Sequence, residues 1–391
     1  MKKRPNPEPD PPGAYRLRRR RRMVRPGLVA AVAIVLTLSA VEALAPSGRG
    51  VIENVARAGA APAVLRSQTL ARLSPCDRPP HSALAFGWPL KPFDRQHPIR
   101  GNFGDPRTLT LAVFGADSSQ SEGAFSFHNG IDIAAPVGTS VYPVVSGRVV
   151  ELGQDEIVVR TADARTFQYW HLDARVRVGE EVLARSTILG TIAPEYDHVH
   201  LSEIDGFRIE NPLEPGHLEP YRDHTAPEVE GLSFSTTAGK ALDPMRLRGR
   251  VTIQAQASDL PPLPVPGAWF GFPVAPAVVS WQLATGKGRI VVPPTTVADF
   301  RDTEPPNSLF WHVYAPGTYQ NFPVFDRRYY WHQPGRYVFA LTPDGLDTTR
   351  LGNGTYRVTV VAADECGNRG SLSQTVRIVN PPARPSDHPA R

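Results

Sequence analysis

From about residue 83 to residue 380, the chain is built from short runs of alternating or β-branched residues that Gly, Asp and Pro interrupt. Examples are VYPVVSGRVVEL, EIVVRTA and RTFQYWHL in the first half, and RVTIQAQA and TYRVTVVAA in the second. A period of two predicts strands, and the first half contains no amphipathic run of 11 or more residues that would favour a helix. The 41 Pro and 32 Gly residues also favour turns. The sequence therefore predicts a mainly β protein.

The N-terminus carries a basic cluster followed by an apolar run. Residues 16–25 contain seven arginines, Gly27–Val41 contains no charge, and residues 43–45 read Ala-Leu-Ala. This order is typical of a secretory signal, whereas the long basic leader and Pro46 favour a retained anchor. In both cases the positive-inside rule exports everything downstream. We expect a cell-envelope protein, in the periplasm or on the outer face of the cytoplasmic membrane, with one N-terminal membrane or signal helix.

Shifts in composition divide the chain into six regions. A polar hinge with a proline, Tyr221–Pro227, separates the two strand-rich parts. The expected regions are a basic cytoplasmic leader (1–26), a transmembrane anchor or signal segment (27–45), a stalk (46–80), a first β domain (81–220), a second β domain (225–380) and a disordered tail (381–391).

The net charge of +5 does not indicate a nucleic-acid partner. Residues 1–45 carry ten basic and three acidic side chains, a net charge of +7. The rest of the chain carries 33 basic and 35 acidic side chains, a net charge of −2. Because the folded part is close to neutral, we expect no basic surface for nucleic acid.

Three short strings in the first β domain contain histidine. His128 and Asp132 lie in FHNGIDIAAP, where Gly and Pro favour a loop or strand end that brings both side chains to one point. In RTFQYWHL, a strand would place His171 on the same face as the aromatic residue two positions earlier. In DHVHLSEI, a strand would point His198 and His200 the same way.

These residue types are ones that a catalytic zinc site uses, with three protein ligands and a fourth position for water. Two His and one Asp satisfy that count, and a further His beside them can move a proton. The spacing alone leaves ordinary surface or capping histidines as the alternative, because HxxxD and HxH are common strings. Seven histidines lack partnered spacing and are expected in packing or at the surface: His81, His97, His217, His224, His312, His332 and His388.

More of the first β domain matches a known pattern. HxxxD runs into GIDIAAPVG, and YWHL and HVH follow in that order. Gly101–Gly104 with Arg107 precedes them, and Glu203 and Asn211-Pro212 come after. This ordered set resembles the lysostaphin-like (LytM-type) zinc metallopeptidases, over about residues 83–218.

The resemblance implies an antiparallel β-sheet domain that binds one Zn²⁺ ion and hydrolyses stem or cross-bridge peptides of bacterial cell-wall peptidoglycan. His128, Asp132 and His200 would be the zinc ligands. His171 and His198 would be the catalytic pair that assists the water and stabilises the tetrahedral intermediate. Some members of the family are non-catalytic and activate a separate cell-wall amidase, and that regulatory function is the alternative. A purely structural wall-binding module is a third interpretation. All five positions are filled here, which favours an enzyme.

One loop departs from the family's pattern. The family usually has a Gly/Thr/Ser-rich loop ending in Gly-Pro before its last motif. This chain has the shorter APEYDHVH, with Asp197 where small residues are expected. In the family this loop borders the substrate groove, so the departure bears on substrate choice and rate.

The second β domain resembles immunoglobulin-like modules in the string GNGTYRVTVVAADECGN. We expect a β-sandwich that positions the first domain on the wall or on a cell-wall or divisome protein. Ten aromatic residues between 310 and 337 favour a core over a sugar- or partner-binding surface. Asp364–Asn368 is predicted as a turn rather than a calcium site. Cys76 and Cys366 could pair in an exported protein, although nothing local enforces it.

Overall fold

The computed structural model describes residues 74–77, 85–107, 125–320 and 334–382, so the predicted leader, anchor and most of the stalk and tail lie outside the described residues. The described residues all fall in one of the chain's two compact units, Ala60–Arg391. Among them, no helix is long and apolar enough to cross a membrane. The described structure is mainly β, as the strand-like runs predict.

The first part of the described fold contains thirteen strands, which a 3₁₀ turn at Pro75–Asp77 precedes. Strands β1 to β13 are Ile99–Gly101, Pro106–Arg107, Ser126–Phe127, Ile131–Ala134, Ser140–Val141, Gly147–Leu152, Glu156–Thr161, Thr166–Trp170, Leu172–Ala174, Glu181–Val182, Gly190–Ile192, His198–Asp205 and Arg208–Glu210. Eight of them form one sheet in the order β1-β4-β12-β8-β7-β6-β10, with β13 paired on β12. The strand pairs are antiparallel. Smaller sheets are formed by β5-β11-β9 and by β2-β3.

Alternation along the strands decides which side chains enter the core of this part. Tyr169 on β8 and Val199 and Leu201 on β12 have no measurable exposure. Strand β8 ends at Trp170, and His171 adopts a left-handed φ of 72°. The prediction that His171 continues the strand and shares a face with Tyr169 is therefore wrong, because the backbone reverses its alternation there.

The second part contains the eight remaining strands. Strands β14 to β21 are Glu228–Thr236, Arg250–Ser258, Val278–Thr285, Ile290–Asp299, Val338–Ala340, Leu346–Asp347, Gly354–Ala363 and Arg369–Ile378. The described helical turns here are four 3₁₀ turns and one α-helical turn, α1: Pro244–Arg246, Gly267–Trp269, Asn307–Leu309, Thr348–Arg350 and, for α1, Phe310–Val313. One sheet has the order β14-β15-β18 with β19 on β15, and the other has the order β17-β16-β20-β21. The two sheets share one hydrophobic core, and the immunoglobulin-like assignment stays a prediction.

Aromatic side chains around α1 join the two parts. Phe310 and Tyr314 are buried, and their ring centroids lie 5.4 and 5.9 Å from that of Phe127 on β3. Trp311 is 37% exposed. The described part of the aromatic-rich segment therefore contributes mainly to a core. Five of its ten aromatic residues lie outside the described residues: Phe322, Phe325, Tyr329, Tyr330 and Trp331.

A disulfide also connects distant parts of the chain. Cys76 and Cys366 are bonded across 290 positions, with their Cα atoms 5.1 Å apart. Residues 224–226 of the predicted polar hinge are exposed, whereas Tyr221 is 5% exposed and Asp223 is 2% exposed. Both side chains are held where the first part meets the second.

Candidate metal centre and histidine pair

Two adjacent strands and one loop bring the predicted metal ligands together. Asp132 on β4 lies directly opposite His200 on β12 in the antiparallel register. His128 immediately follows β3, in the loop that leads into β4. Gly130 in this loop has to lack a side chain, because a Cβ there would collide with the Leu201 carbonyl and lie 2.8 Å from Nε2 of His200.

The three side chains converge on one point. Nε2 of His128 lies 2.8 Å from Nδ1 of His200, and each of these nitrogens lies 3.1 Å from Oδ1 of Asp132. All three residues are buried, with exposures of 2%, 4% and 7% for residues 128, 132 and 200. Ligand atoms about 2.0–2.1 Å from one tetrahedral ion lie roughly 3.3 Å apart. The three atoms therefore can hold a single metal ion.

Hydrogen bonds on the far side of each imidazole direct the other nitrogen to this point. Nδ1 of His128 donates to the Asn102 carbonyl at 2.7 Å, so Nε2 keeps its lone pair. Nε2 of His200 lies 2.8 Å from the Ser202 hydroxyl, which leaves Nδ1 facing Asp132. This is the outer-shell arrangement that fixes the ring orientation of metal-binding histidines.

The charges around the cluster favour a carboxylate beside neutral imidazoles. Arg107 donates to Oδ2 of Asp132 at 3.0 Å and also to the Gln320 side-chain oxygen. Burial works to raise the pKa of Asp132, but His128, His198 and Arg107 hold it well below its usual value. Burial, and then the Arg107 charge, lowers the pKa of His128 to about 3. A neutral imidazole is the form that binds metal.

His171 and His198 form a second pair beside the cluster. Their ring centroids are 4.6 Å apart, and Nε2 of His198 lies 3.6 Å from Oδ1 of Asp132. Nδ1 of His171 lies 3.1 Å from Oδ2 of Asp155, and its ring stacks on Tyr196 at 3.8 Å. Burial lowers the pKa of His171, so this imidazole is neutral and able to accept a proton near pH 7.

His198 is held between two charged groups. Nε2 of His198 lies 3.3 Å from Nη2 of Arg100, and its Nδ1 lies 3.3 Å from Oδ1 of Asp197. Since a guanidinium only donates, Nε2 accepts from Arg100 and Nδ1 carries the proton. Burial lowers the pKa of His198 to about 4, with the Arg100 charge acting in the same direction.

Asp197 lies in the loop that differs from the family's pattern, and the second part of the fold covers this loop. Trp269, in the 3₁₀ turn Gly267–Trp269, donates its indole N–H to Oδ2 of Asp197 at 2.6 Å. The Arg100 guanidinium lies 4.1 Å from the Trp269 ring centroid, within the range of a cation–π contact. Nε and Nη1 of Arg100 are buried without a hydrogen-bond partner among the described residues.

Several of these residues have no role assigned from the sequence. Ser202 follows His198 and His200 with the same period of two, so alternation along β12 could have identified it. Asp155 precedes β7 in a turn, and Trp269 lies in a proline-rich stretch. Neither carries a local signal, because only the folded chain brings them to the histidines.

Residues 126–204 match the family model of peptidase family M23. The resemblance to the LytM-type peptidases is therefore confirmed. No curated protein matches the chain.

Three solved structures are similar to about a third of this chain. A zinc-containing peptidase from Vibrio cholerae is 24% identical with a TM-score of 0.23, over 31% of this chain and 36% of that one. This chain thus spans about a third of the length of the Vibrio protein. A mutant of the catalytic domain of the prophage-encoded M23 protein EnpA from Enterococcus faecalis is 25% identical with a TM-score of 0.23, over 34% and 96%. The SpoIIQ–SpoIIIAH pore-forming complex is 20% identical with a TM-score of 0.26, over 36% and 94%.

Proposed function

We propose, from the premise that residues 126–204 form a domain of peptidase family M23, that this chain is a zinc-dependent endopeptidase acting on peptidoglycan peptides. One observation carries the proposal. Nε2 of His128, Oδ1 of Asp132 and Nδ1 of His200 lie within 3.1 Å of one another, with a histidine pair beside them. Neither a structural histidine cluster nor a binding module needs both features at once.

The donor set fits zinc. His128, Asp132 and His200 supply two imidazole nitrogens and one carboxylate oxygen, which are zinc's usual ligands in hydrolytic sites. The imidazoles already have their other nitrogens engaged by Asn102 and Ser202. When bound, zinc would polarise the scissile carbonyl and lower the pKa of a water molecule at the site to about 7.

The histidine pair supplies proton transfer and charge stabilisation. Asp155 holds Nδ1 of His171, which leaves Nε2 of His171 to accept a proton from the attacking water and return it to the leaving amine. Arg100 contributes a buried positive charge beside His198. Its Nη1 lies 3.6 Å from Oδ1 of Asp197 in an ion pair, and neither Nη1 nor Nε has a hydrogen-bond partner among the described residues. Those N–H groups are suited to the oxygen that becomes negative during attack on a peptide.

The cellular context rests on the sequence. The basic and apolar N-terminal segments support export to the cell envelope and a single-pass anchor, where peptidoglycan is the available polymer. We propose that residues 225–380 form an immunoglobulin-like sandwich. This sandwich would position the peptidase on the wall or on a cell-wall or divisome protein.

A second function is favoured by the contacts of Trp269. This side chain and Arg100 close one side of the histidine pair, and Arg100 already occupies Nε2 of His198. A groove closed in this way suits a non-catalytic regulator that binds and activates a cell-wall amidase. In that case the metal site would have a structural role.

Digestion of purified peptidoglycan by the full chain distinguishes the two functions. We expect soluble peptide fragments that a chelator abolishes and added zinc restores, with about one zinc per chain. His200→Ala should lose both the zinc and the fragments, and His171→Ala should lose the fragments while it keeps the zinc. His312→Ala, which removes an exposed histidine, serves as the control. A zinc-loaded wild type that releases no fragments but stimulates an amidase would overturn the endopeptidase in favour of the regulator.

A further inference from the structure

The charged side chains of the second part of the fold are separated between its two ends. The distal end consists of the segments where β15, β17, β19 and β20 begin and where β21 ends: residues 237–250, 286–289, 341–357 and 377–382. It carries nine basic and three acidic side chains. The opposite near end carries three basic and nine acidic side chains, in residues 223–230, 259–277, 299–320, 334–337 and 363–369. The near-neutral charge of the folded part therefore hides a strong polarity.

Backbone contacts hold the segments of the distal end together. The Leu247 N–H donates to the Arg377 carbonyl at 2.9 Å, and the Gly286 N–H donates to the Thr355 carbonyl at 2.7 Å. The near end contacts the first part of the fold, because it contains Trp269, which bonds to Asp197. Strand β20 has 10 residues, so it separates the two ends by about 33 Å. The distal end therefore points away from the histidines.

The basic side chains of the distal end are free to meet a partner. All nine are exposed: Lys240, Arg246, Arg248, Arg250, Lys287, Arg289, Arg350, Arg357 and Arg377. Within the described ranges only Arg350 forms an ion pair, with Asp347 at 3.4 Å. Arg250 donates to the Asp344 carbonyl at 3.0 Å. An exposed surface with such an excess of one charge attracts the opposite charge.

A groove of about 360 Å³ lies in this end, with two of the arginines in its wall. Its lining residues are Ala241, Leu242, Asp243, Arg246, Arg248 and Val379. The one carboxylate, Asp243, accepts the Met245 backbone N–H at 2.8 Å and caps the 3₁₀ turn Pro244–Arg246. Met245 and Val379 are 46% and 43% exposed. Guanidinium groups are suited to phosphate oxygens, and the apolar side chains beside them suit an amphipathic molecule.

We propose that the distal end docks on the anionic phospholipid headgroups of a membrane surface, with the peptidase domain held at the opposite end. The inference rests on the proposed export to the cell envelope and uses neither zinc nor the histidines. An exported chain meets two anionic surfaces, the membrane and the polymers of the wall. Met245, Ile290 and Val379 favour the membrane, because exposed apolar side chains can enter the headgroup boundary, which a hydrated polymer lacks.

Fluorescence quenching with the full chain tests the docking. Ala238 at the distal end and Ala226 at the near end are both exposed, and each is replaced by Cys in turn and labelled with a fluorophore. The vesicles contain phosphatidylcholine, about 30% phosphatidylglycerol and a headgroup-linked quencher. We expect the label at 238 to be quenched about threefold more strongly than the label at 226. Both labels share the same N-terminal segment, so insertion of that segment does not produce the difference.

The difference between the two labels should depend on charge. It should disappear with phosphatidylcholine alone, and in about 1 M NaCl, where the screening length falls to about 3 Å. Since each Lys or Arg strengthens binding to an anionic bilayer about fivefold, Arg246→Gln/Arg248→Gln should weaken docking at least about tenfold. Lys287→Gln/Arg289→Gln, in another loop of the distal end, should act in the same direction. Arg175→Gln/Arg177→Gln is the matched control, because it removes two exposed arginines at the same spacing from the first part of the fold.

Three results would overturn the docking. One is equal quenching at positions 238 and 226, and another is a difference that both distal variants leave intact. The third is a chain that vesicles do not quench but that binds insoluble peptidoglycan through Arg246 and Arg248, which would assign the distal end to a wall polymer. His200→Ala should dock as the wild type does, so a failure of the peptidase activity leaves the docking unaffected.

Discussion

The indole N–H of Trp269 donates to Asp197 at 2.6 Å, across 72 positions of sequence, and so makes the second part of the fold a wall of the histidine pair. Asp197 in turn lies 3.3 Å from Nδ1 of His198. Burial works to raise the pKa of the Asp197 carboxyl, but the hydrogen bond to His198, the Arg100 charge and the hydrogen bond to Trp269 hold it well below its usual value. The orientation of His198 therefore depends on a side chain outside the M23 match at residues 126–204.

Trp269→Phe should lower activity without removing the metal. The phenyl ring keeps the apolar cover over Arg100, but the hydrogen bond to Asp197 is lost. A hydrogen bond to a charged group contributes about 1.5–3 kcal/mol, so we expect kcat/KM for peptide release to fall at least tenfold. Zinc content, measured by metal analysis, should stay at the wild-type level.

Trp311→Phe is the matched control, because Trp311 in α1 is more exposed than Trp269 and lies outside the site. It should keep wild-type kcat/KM. An equal loss of activity in both variants would mean that Trp269 acts only through overall stability.

Asp155→Asn should disturb the orientation of His171 and leave metal binding intact. The carboxylate of Asp155 lies 3.1 Å from Nδ1 of His171, and an amide cannot supply the same charge to a protonated imidazole. We expect kcat to fall about 10- to 100-fold while KM and zinc content change little. Asp163→Asn, which alters an exposed carboxylate paired with Arg165, should leave kcat unchanged. Loss of zinc in Asp155→Asn would contradict a role confined to the histidine pair.

The candidate metal site is the part of the histidine cluster that the sequence predicts best. His198 and His200 are two positions apart on a strand whose intervening residues, Val199 and Leu201, are buried, so the period of two determines where the imidazoles point. His128 lies in a loop and Asp132 lies at the start of β4, as Gly130 and Pro136 in FHNGIDIAAP indicate. These placements depend mainly on local backbone geometry.

The contacts that complete the site depend on long-range packing, and the sequence does not reveal them. Nothing near residue 269 indicates that a tryptophan will reach Asp197, and nothing near residue 320 indicates that Gln320 will contact Arg107. Similarly, Asp364 has the composition of a turn and forms one, but its neighbours Asp223 and Asp259 come from distant segments. The period of two did not predict the position of His171, because His171 itself has a positive φ that ends the alternation of β8.

The histidine pKa values predict a pH-dependent stability. Burial lowers the pKa of His198 to about 4, whereas an unfolded histidine titrates near 6.5. Between these values the unfolded chain binds the extra proton, so stability is full above pH 6.5 and falls as the pH drops towards 4. The shift corresponds to about 3 kcal/mol for this one group.

Urea unfolding of the chelator-treated chain at several pH values measures this dependence. His198→Asn removes the titrating group, so the difference in free energy of unfolding between wild type and variant should change by about 3 kcal/mol between pH 7 and pH 4. The comparison between variants cancels the opposite contribution of the buried carboxylates, whose raised pKa values favour the folded state at low pH. Parallel pH profiles for the two proteins would show that His198 titrates normally.

Reduction of the Cys76–Cys366 disulfide should destabilise the chain. The bond closes a loop of 290 positions, and in the chain-entropy description it restricts the unfolded state. We expect a reductant to lower the free energy of unfolding by about 2–4 kcal/mol, as measured by urea unfolding. The double variant Cys76→Ser/Cys366→Ser should match the reduced wild type and show no response to reductant. A wild type that unfolds at the same urea concentration with and without reductant would show that the bond contributes nothing to stability.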